Sequence, residues 1–466
     1  VELPLLSAPT AREGASRWAW LAAPVDVAAL VWLRVTFGLI LFYEMAVYAW
    51  NGWITYVYAG PPFHFTYYGF SWVQPWPGWG MHAHFALLGV LALMIAAGCF
   101  YRVASALFAV GWTYLFLLDQ SNYNNHLYFI CILAFFMPFL PAHRSFSVDA
   151  RRHPELRSDW VPAWSLWLLR AQVGIVYFFG GVAKLNADWL LHAQPLLTWM
   201  EEERGLPLLG PVLAWDPTAW FMSWSGMLID LLAFPLLVWR RTRPFMVLVL
   251  MSFHTLNSII FEIGIFPYLM VALTLLFLEP DWPRRVLARF APARAGREPR
   301  PPAPARLTRL QAVGMAVIAV HLVIQLAMPL RKHLYPGNTM WTGEGWRFSW
   351  HMMLRDVDAE LAVLVTDPVT GRSWTVDPSD LLTPNQVHKM ERNPDMLVQF
   401  AHYVKRRMAE EGHRNVQVRF ADKASLNGRT RQRRLDARTD FTTVERRLWP
   451  PLDWVVPLEA GREPSP

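Results

Sequence analysis

The sequence predicts a mainly α fold, a polytopic membrane helical bundle of about eight or nine transmembrane helices followed by a small extracytoplasmic α+β domain. Three observations carry this expectation. Hydrophobic residues make up 54% of the 466 residues and charged residues only 17%, and the apolar residues are gathered into blocks, as lipid-spanning helices require. The basic residues are confined to particular connections, which is the charge bias of membrane topology. From about residue 331 the blocks give way to alternation and amphipathic spacing, the pattern of a soluble domain.

The apolar blocks place spans at about 28–48, 83–100, 103–118, 126–141, 165–183, 219–239, 244–261, 264–279 and 309–329. Several fall short of the roughly 20 residues of a simple crossing; burial inside the bundle would accommodate them. The stretch 1–27 is mixed and charged, without the apolar core and cleavage site of a signal peptide.

The connection 142–164 carries Arg144, Arg151, Arg152 and Arg157, and the turn at 240–243 carries Arg240, Arg241 and Arg243. The Pro- and Arg-rich connection 280–308 adds Arg284, Arg285, Arg289, Arg294, Arg297, Arg300 and Arg306, whereas no Lys or Arg occurs between Arg34 and Arg102. The formal charge of +7 is therefore a topological signal and not a nucleic-acid signature. The positive-inside rule puts these basic loops and the N-terminus in the cytoplasm. The loops near 49–82, 119–126, 184–218 and 261–264, with everything after 330, fall on the outer side. The expected division is a transmembrane domain over 1–330 and an extracytoplasmic domain over 331–466. Cys99 and Cys131 both lie in apolar spans, which excludes a disulfide scaffold and reads them as small core hydrophobes.

In the second part, Glu360 to Pro378 alternates around a Pro/Gly turn and predicts a hairpin. Residues 385–411 show helical spacing with Met396, Leu397, Phe400, Ala401 and Met408 as the buried stripe, Val416 to Phe420 predicts a strand, and the last ten residues a loose tail.

The residues with chemistry lie on the outer side. Lys184 closes the apolar segment Tyr177 to Trp189, YFFGGVAKLNADW. Charged groups at membrane depth are costly and usually functional. Burial favours a neutral amine, which would be a base for an acidic, lipid-soluble substrate; position alone is better met by a lysine snorkelling to the interface. SNYNNHLYF (Ser121 to Phe129) puts three Asn and His126 in a short outer loop, just after Asp119. It reads either as a substrate-orienting knot or as a helix-capping loop. SFHTLNS (Ser252 to Ser258) sets His254 and Asn257 one turn apart, and Tyr177 lies two turns deeper than Lys184 on the same helix face. WTGEGWRFSWHMMLRD (Trp341 to Asp356) mixes aromatics, Met, His and Arg without a clear period. It suits a wall for a flat apolar ring and a carboxylate, and equally an interfacial aromatic belt. His82 and His84 lack a third ligand, so no metal is assigned. The absence of a P-loop, GxGxxG, HExxH or nucleophile elbow weighs against phosphate transfer, nucleotide cofactors and Ser or Zn hydrolysis.

Together, LFLLDQSNYNNHLYF, IVYFFGGVAKLNADW, SFHTLNS and WTGEGWRFSWHMM resemble the vitamin K-dependent gamma-glutamyl carboxylase family, in the same order and at similar separations. Weaker similarity runs from about residue 25 to 455. The resemblance implies an enzyme that couples oxygenation of vitamin K hydroquinone, of menaquinone or phylloquinone type, to carboxylation of peptide glutamate, with O2 and CO2 as co-substrates and no metal. Lys184 matches the lysine that deprotonates the quinol, and His126 the histidine that steadies the oxyanion. Asn125, Tyr177, His254, Met352 and Met353 are the implied quinol-binding residues. Trp341, Trp346, Ser349, Trp350 and Arg355 are the implied glutamate- and peptide-binding residues. The partners implied are membrane lipid, the quinone pool and a Glu-containing protein or peptide. The localisation implied is a bacterial inner membrane with an outward-facing site, or the ER membrane with a lumenal one.

Two departures stand out. Animal members continue well beyond the position of Asp453, so propeptide-directed modification is in doubt. Gly345, Trp346, Arg347 and His351 differ from the animal pattern, which puts the peptide site in doubt. A quinol epoxidase without protein carboxylation stays open as an alternative. So does a quinone-binding or proton-coupled transporter in which Lys184, Asp119 and His126 form a relay.

Overall fold

The computed structural model describes residues 18–261, 263–290, 299–301, 308–449 and 451–459. The expectations for the first 17 residues, for Arg294, Arg297 and Arg306, and for the end of the C-terminal tail lie outside them. Among the described residues, seven helices are long and apolar enough to cross a membrane. They are α1 (Ala28–Trp50), α2 (Gly80–Ala97), α3 (Tyr101–Leu118), α5 (Trp164–Ala183), α6 (Asp216–Val238), α7 (Arg243–Ile260) and α9 (Arg309–Leu330).

Two shorter apolar helices, α4 (Asn125–Phe136) and α8 (Phe266–Thr274), stand where the spans 126–141 and 264–279 are predicted. The Asn124 side chain caps α4 by accepting from the Leu127 N–H, and a 3-10 turn containing Pro138 ends it. At 1.5 Å per residue neither helix alone crosses a hydrocarbon layer of about 30 Å. Both instead carry buried residues inside the bundle.

Glycines set the tightest helix crossings. A Cβ on Gly38 of α1 would lie 2.5 Å from the Ala92 carbonyl oxygen of α2, and one on Gly181 of α5 only 2.8 Å from the Leu231 backbone nitrogen of α6. Close backbone approach of this kind is a common basis of helix association in lipid.

At one end of the bundle, Arg34 donates to the carbonyls of Ala142 (3.2 Å) and Phe146 (2.5 Å). Pro24–Asp26 pairs antiparallel with Trp160–Pro162, and Arg284 bridges Asp26 (3.1 Å) and Asp159 (2.6 Å). This end gathers connections predicted to be cytoplasmic. At the other end the α+β unit docks on the loops predicted to be outward. Gln386 donates to the Phe63 carbonyl (2.7 Å) and to Asp119 Oδ2 (2.8 Å). The Thr66 N–H donates to Gln399 Oε1 (3.0 Å), and Arg429 pairs with Asp188 (2.5 Å). The loops 49–82, 119–126 and 184–218 thus share one face. Trp50, Trp72 and Trp79 are exposed there, as interfacial tryptophans are.

The α+β unit is an antiparallel sheet of order β2-β1-β3, with β1 (Val357–Thr366) central, β2 (Ser373–Val376) completing the predicted hairpin and β3 (Gln417–Leu426) on the far side. β3 is twice as long as the predicted strand and pairs along all of β1, from Val357↔Leu426 to Thr366↔Gln417. Its second half was hidden because Asp422 occupies an inward position, where it is satisfied by a fully buried pair with Arg434 at 2.9 Å. The predicted helix over 385–411 is two helices, α10 (Pro384–Arg392) and α11 (Pro394–Glu410). Pro394 lacks the N–H needed to continue α10 and instead starts the next helix. The predicted stripe Met396, Leu397, Phe400, Ala401 and Met408 is buried against the sheet.

Candidate active site

Lys184 stands at the C-cap of α5 and is only 6% exposed. Its Nζ donates to Asp230 Oδ2 on α6 at 2.7 Å and to the Gly180 carbonyl at 3.3 Å. The Trp189 ring lies 5.3 Å from it. An isolated neutral amine, the expectation from burial alone, is therefore not what this site presents. The amine is half of a buried pair. Asp230 escaped the sequence reasoning because a membrane span tolerates one acid. The available signal was that an acid at that depth needs a partner, and Lys184 needed one too.

The approach of α6 to α5 is what makes the pair. Gly174, Gly180 and Gly181 line the contact, and a Cβ on Gly174 would meet the Phe234 ring at 2.4 Å. At Gly180 the vacant Cβ position is 3.2 Å from Asp230 Oδ2 and 3.3 Å from Met352 Cε. The loop 341–356 thus brings a methionine methyl to the same vacant position that the Asp230 carboxylate borders.

Asn125 and Tyr123 hold that loop. Asn125 Nδ2 donates to the His351 carbonyl at 2.7 Å, the Phe348 N–H donates to the Tyr123 hydroxyl at 2.5 Å, and that hydroxyl donates to Asn125 Oδ1 at 2.9 Å. Phe348, Trp350 and Met353 all adopt left-handed backbone, with φ of 64°, 57° and 52°. Each such non-glycine residue costs about 1 kcal/mol or more, which persists only where surrounding contacts fix the conformation. His126, at the start of α4, faces the Phe266 ring at 5.8 Å, and His254 faces the same ring at 6.3 Å. His254 Nε2 is 2.6 Å from the Tyr177 hydroxyl. His126, Phe266, His254 and Tyr177 therefore form a continuous wall drawn from α4, α8, α7 and α5.

The other predicted residues divide between this site and its scaffold. Trp346 packs at a tilt against His351, ring centres 4.5 Å apart, and lies under the Arg355 guanidinium at 6.0 Å. Arg355 donates to the carbonyls of Met340 and Arg392 and to Asn393 Oδ1. Trp341 is in the core of the α+β unit, its Nε1 donating to the Val456 carbonyl at 2.8 Å. Trp350 packs on Tyr128 and Phe129 in the bundle core, and buried Ser349 donates to the Gly345 carbonyl at 2.7 Å. Met353 is half-buried beside Met352. Asp119 does not join Lys184 or His126; His64 and Gln386 hold it at the docking face. His82 and His84 are anchored separately, on Thr55 and the Gly111 carbonyl.

Cations outnumber anions around the loop. Burial, with Arg434, Arg347 and Arg392 nearby, lowers Arg355 to about 9, and burial beside Arg392, Arg347 and Arg355 lowers Lys389. Burial and the charges of Lys332, Arg331 and His333 hold His351 down at about 3. Its Nδ1 is buried and has no hydrogen-bond partner among the described residues.

The HTTM domain family matches residues 22–282, and the vitamin K-dependent gamma-carboxylase lumenal domain family matches residues 310–461. The chain belongs to the vitamin K-dependent gamma-carboxylase family. No solved structure matches it. The carboxylase-family assignment agrees with a multi-pass membrane protein. In α9 only 11% of the apolar window is buried, leaving Val313, Val317, Val320 and Val323 more than half exposed, a surface suited to lipid rather than water. The lumenal-domain match contains the loop that covers the Lys184–Asp230 pair, and the HTTM match contains the pair itself.

Proposed function

We propose that this chain is a vitamin K hydroquinone-dependent gamma-glutamyl carboxylase of the membrane, with a transmembrane domain over 1–330 and an extracytoplasmic domain over 331–466. The observation that carries the proposal is the buried Lys184–Asp230 pair beneath Met352, at the junction of the two family-matched regions. The site fits a reduced naphthoquinone. Trp189, Phe266 and Met352 supply aromatic and thioether surfaces for a flat ring, and Lys184 supplies a proton acceptor for its hydroxyl. Bound there, the hydroquinone supplies, on oxygenation by O2, the strong base that takes a γ-proton from glutamate before CO2 adds.

The protein residues have assigned tasks. Lys184 receives the hydroxyl proton, and His126 donates toward the oxygen left behind. Asn125 holds the loop through the His351 carbonyl, and Tyr177 with His254 lines the far wall. Trp346 and Arg355, beside Lys389, form the cationic side that favours an acidic peptide. The apolar walls exclude the water that would quench a carbanion. Sorting of basic loops favours an outward-facing site, on a bacterial inner membrane or on the lumenal side of the ER membrane.

Purified protein given reduced vitamin K, O2, carbon-labelled bicarbonate and a Glu-containing peptide should label the peptide and release quinone epoxide. Epoxide without label would reduce the activity to quinol epoxidation; neither product would remove the enzymatic reading.

A further inference from the structure

We infer that Asp230 is a catalytic member of the base, sharing one proton with Lys184 and receiving the proton that the substrate hydroxyl gives up. The inference rests on the hydroquinone reading above and goes beyond it, since that reading alone calls only for the lysine.

An ammonium has no lone pair and accepts no proton. Lys184 Nζ and Asp230 Oδ2 lie 2.7 Å apart, and both side chains are more than nine-tenths buried. At that separation the pair is taken to rest as ammonium and carboxylate, joined by a single transferable proton. A proton arriving from a substrate hydroxyl leaves an ammonium beside a neutral carboxylic acid. The substrate O–H bond breaks and its oxygen keeps the electron pair. One N–H forms at Lys184 as another is passed on, and one O–H forms at Asp230.

Charge bookkeeping favours this route. A lone neutral amine taking a proton from a neutral phenol creates two buried charges where there were none, and each buried ion costs several kcal/mol. With Asp230 in the ion-pair form, the reaction exchanges one partner of an existing ammonium for another. The number of buried charges stays the same, and the cation already faces the oxygen that becomes negative. The local geometry serves the exchange. Two of the three Lys184 N–H bonds are used, on Asp230 and Gly180, leaving one for a substrate oxygen. Bare Gly180 leaves a vacant position that Asp230 Oδ2 and the Met352 methyl both border.

The test uses the full chain in lipid, without O2, so that binding and proton transfer are seen before any turnover. Reduced phylloquinone is added, its binding followed by quenching of tryptophan fluorescence, and infrared difference spectra are recorded. A new carboxylic-acid carbonyl band is expected, shifted in protein made with carbon-13 aspartate and absent from Asp230→Asn. In Asp230→Glu the band should persist but lose its sensitivity to the aspartate label, which assigns it even where the Asn variant folds poorly. Bound hydroquinone with no such band overturns the inference and leaves the carboxylase reading standing; no binding at all overturns both. With O2 restored, Asp230→Asn should form epoxide about a hundred-fold more slowly at a hydroquinone KM within about twofold of the parent. A variant that binds normally and reacts at the parent rate or faster would show that a freed amine suffices and Asp230 only anchors it.

Discussion

His351 packs against Trp346, directly preceding the methionine that covers the Lys184–Asp230 pair, and it is buried among Lys332, Arg331 and His333. Protonating it there would add a charge to a crowded cationic site. Its value near 3, against about 6.5 in an unfolded chain, fixes the sign of its effect. The unfolded state takes up a proton that the folded state refuses as pH falls below about 6.5. Stability is thus fully present above that value and drains away as the medium is acidified, by about 2 kcal/mol at pH 5. His351→Gln should flatten this loss, so that thermal midpoints measured at pH 7 and pH 5 differ less in the variant than in the parent. An equal drop in both would mean that the ring titrates freely. Legibility also differed residue by residue. Lys184 was visible because it ends an apolar run within a dense motif. Asp230 was not, because its meaning depends on a partner 46 residues away that only helix packing brings near.

Among the elements, α5 and α6 decide whether the site exists. Their crossing depends on Gly181, where a Cβ would press against the Leu231 backbone nitrogen at 2.8 Å and the Leu231 Cγ at 2.7 Å. Backbone cannot swing aside as a flexible side chain can, so Gly181→Ala should push the helices apart and lengthen the Lys184–Asp230 contact. The expected cost is about 1–3 kcal/mol, read as a lowered thermal midpoint together with loss of epoxide formation. Gly205→Ala, where nothing lies within 4 Å, serves as the control and should change neither. If both variants behaved alike, the glycine contact would not position the pair. The long apolar helices were legible because length and composition alone define them. The division at Asn393–Pro394 had a local signal in Pro394, overridden by a hydrophobic stripe that runs through both helices. The second half of β3 had no local signal, since Asp422 is acceptable on the inner face only because Arg434, 12 residues on, meets it.

On the scale of the whole molecule, the site is made by docking: the bundle provides the pair and the α+β unit provides its cover. One docking contact joins Asp188, four residues beyond Lys184, to Arg429, which donates to both carboxylate oxygens at 2.5 and 2.7 Å. Asn427 Nδ2 adds a third bond at 2.8 Å and also donates to the Leu354 carbonyl, so this one cluster joins the Lys184 segment to the end of the covering loop. Removing one partner of a buried pair leaves the other charge uncompensated, which costs about 3–5 kcal/mol. Arg429→Met should therefore loosen the cover without melting the bundle. Hydrogen exchange should rise in 184–194 and 341–356 and stay unchanged in α1 to α3, and epoxide formation and carboxylation should fall together. Arg285→Met, which breaks an exposed ion pair with Asp281 worth at most about 1 kcal/mol, should leave both measurements where they were. Should Arg429→Met exchange like the parent while keeping its activity, the docking cluster would be incidental and the cover would be held by its other contacts, the Asn125 and Tyr123 bonds among them.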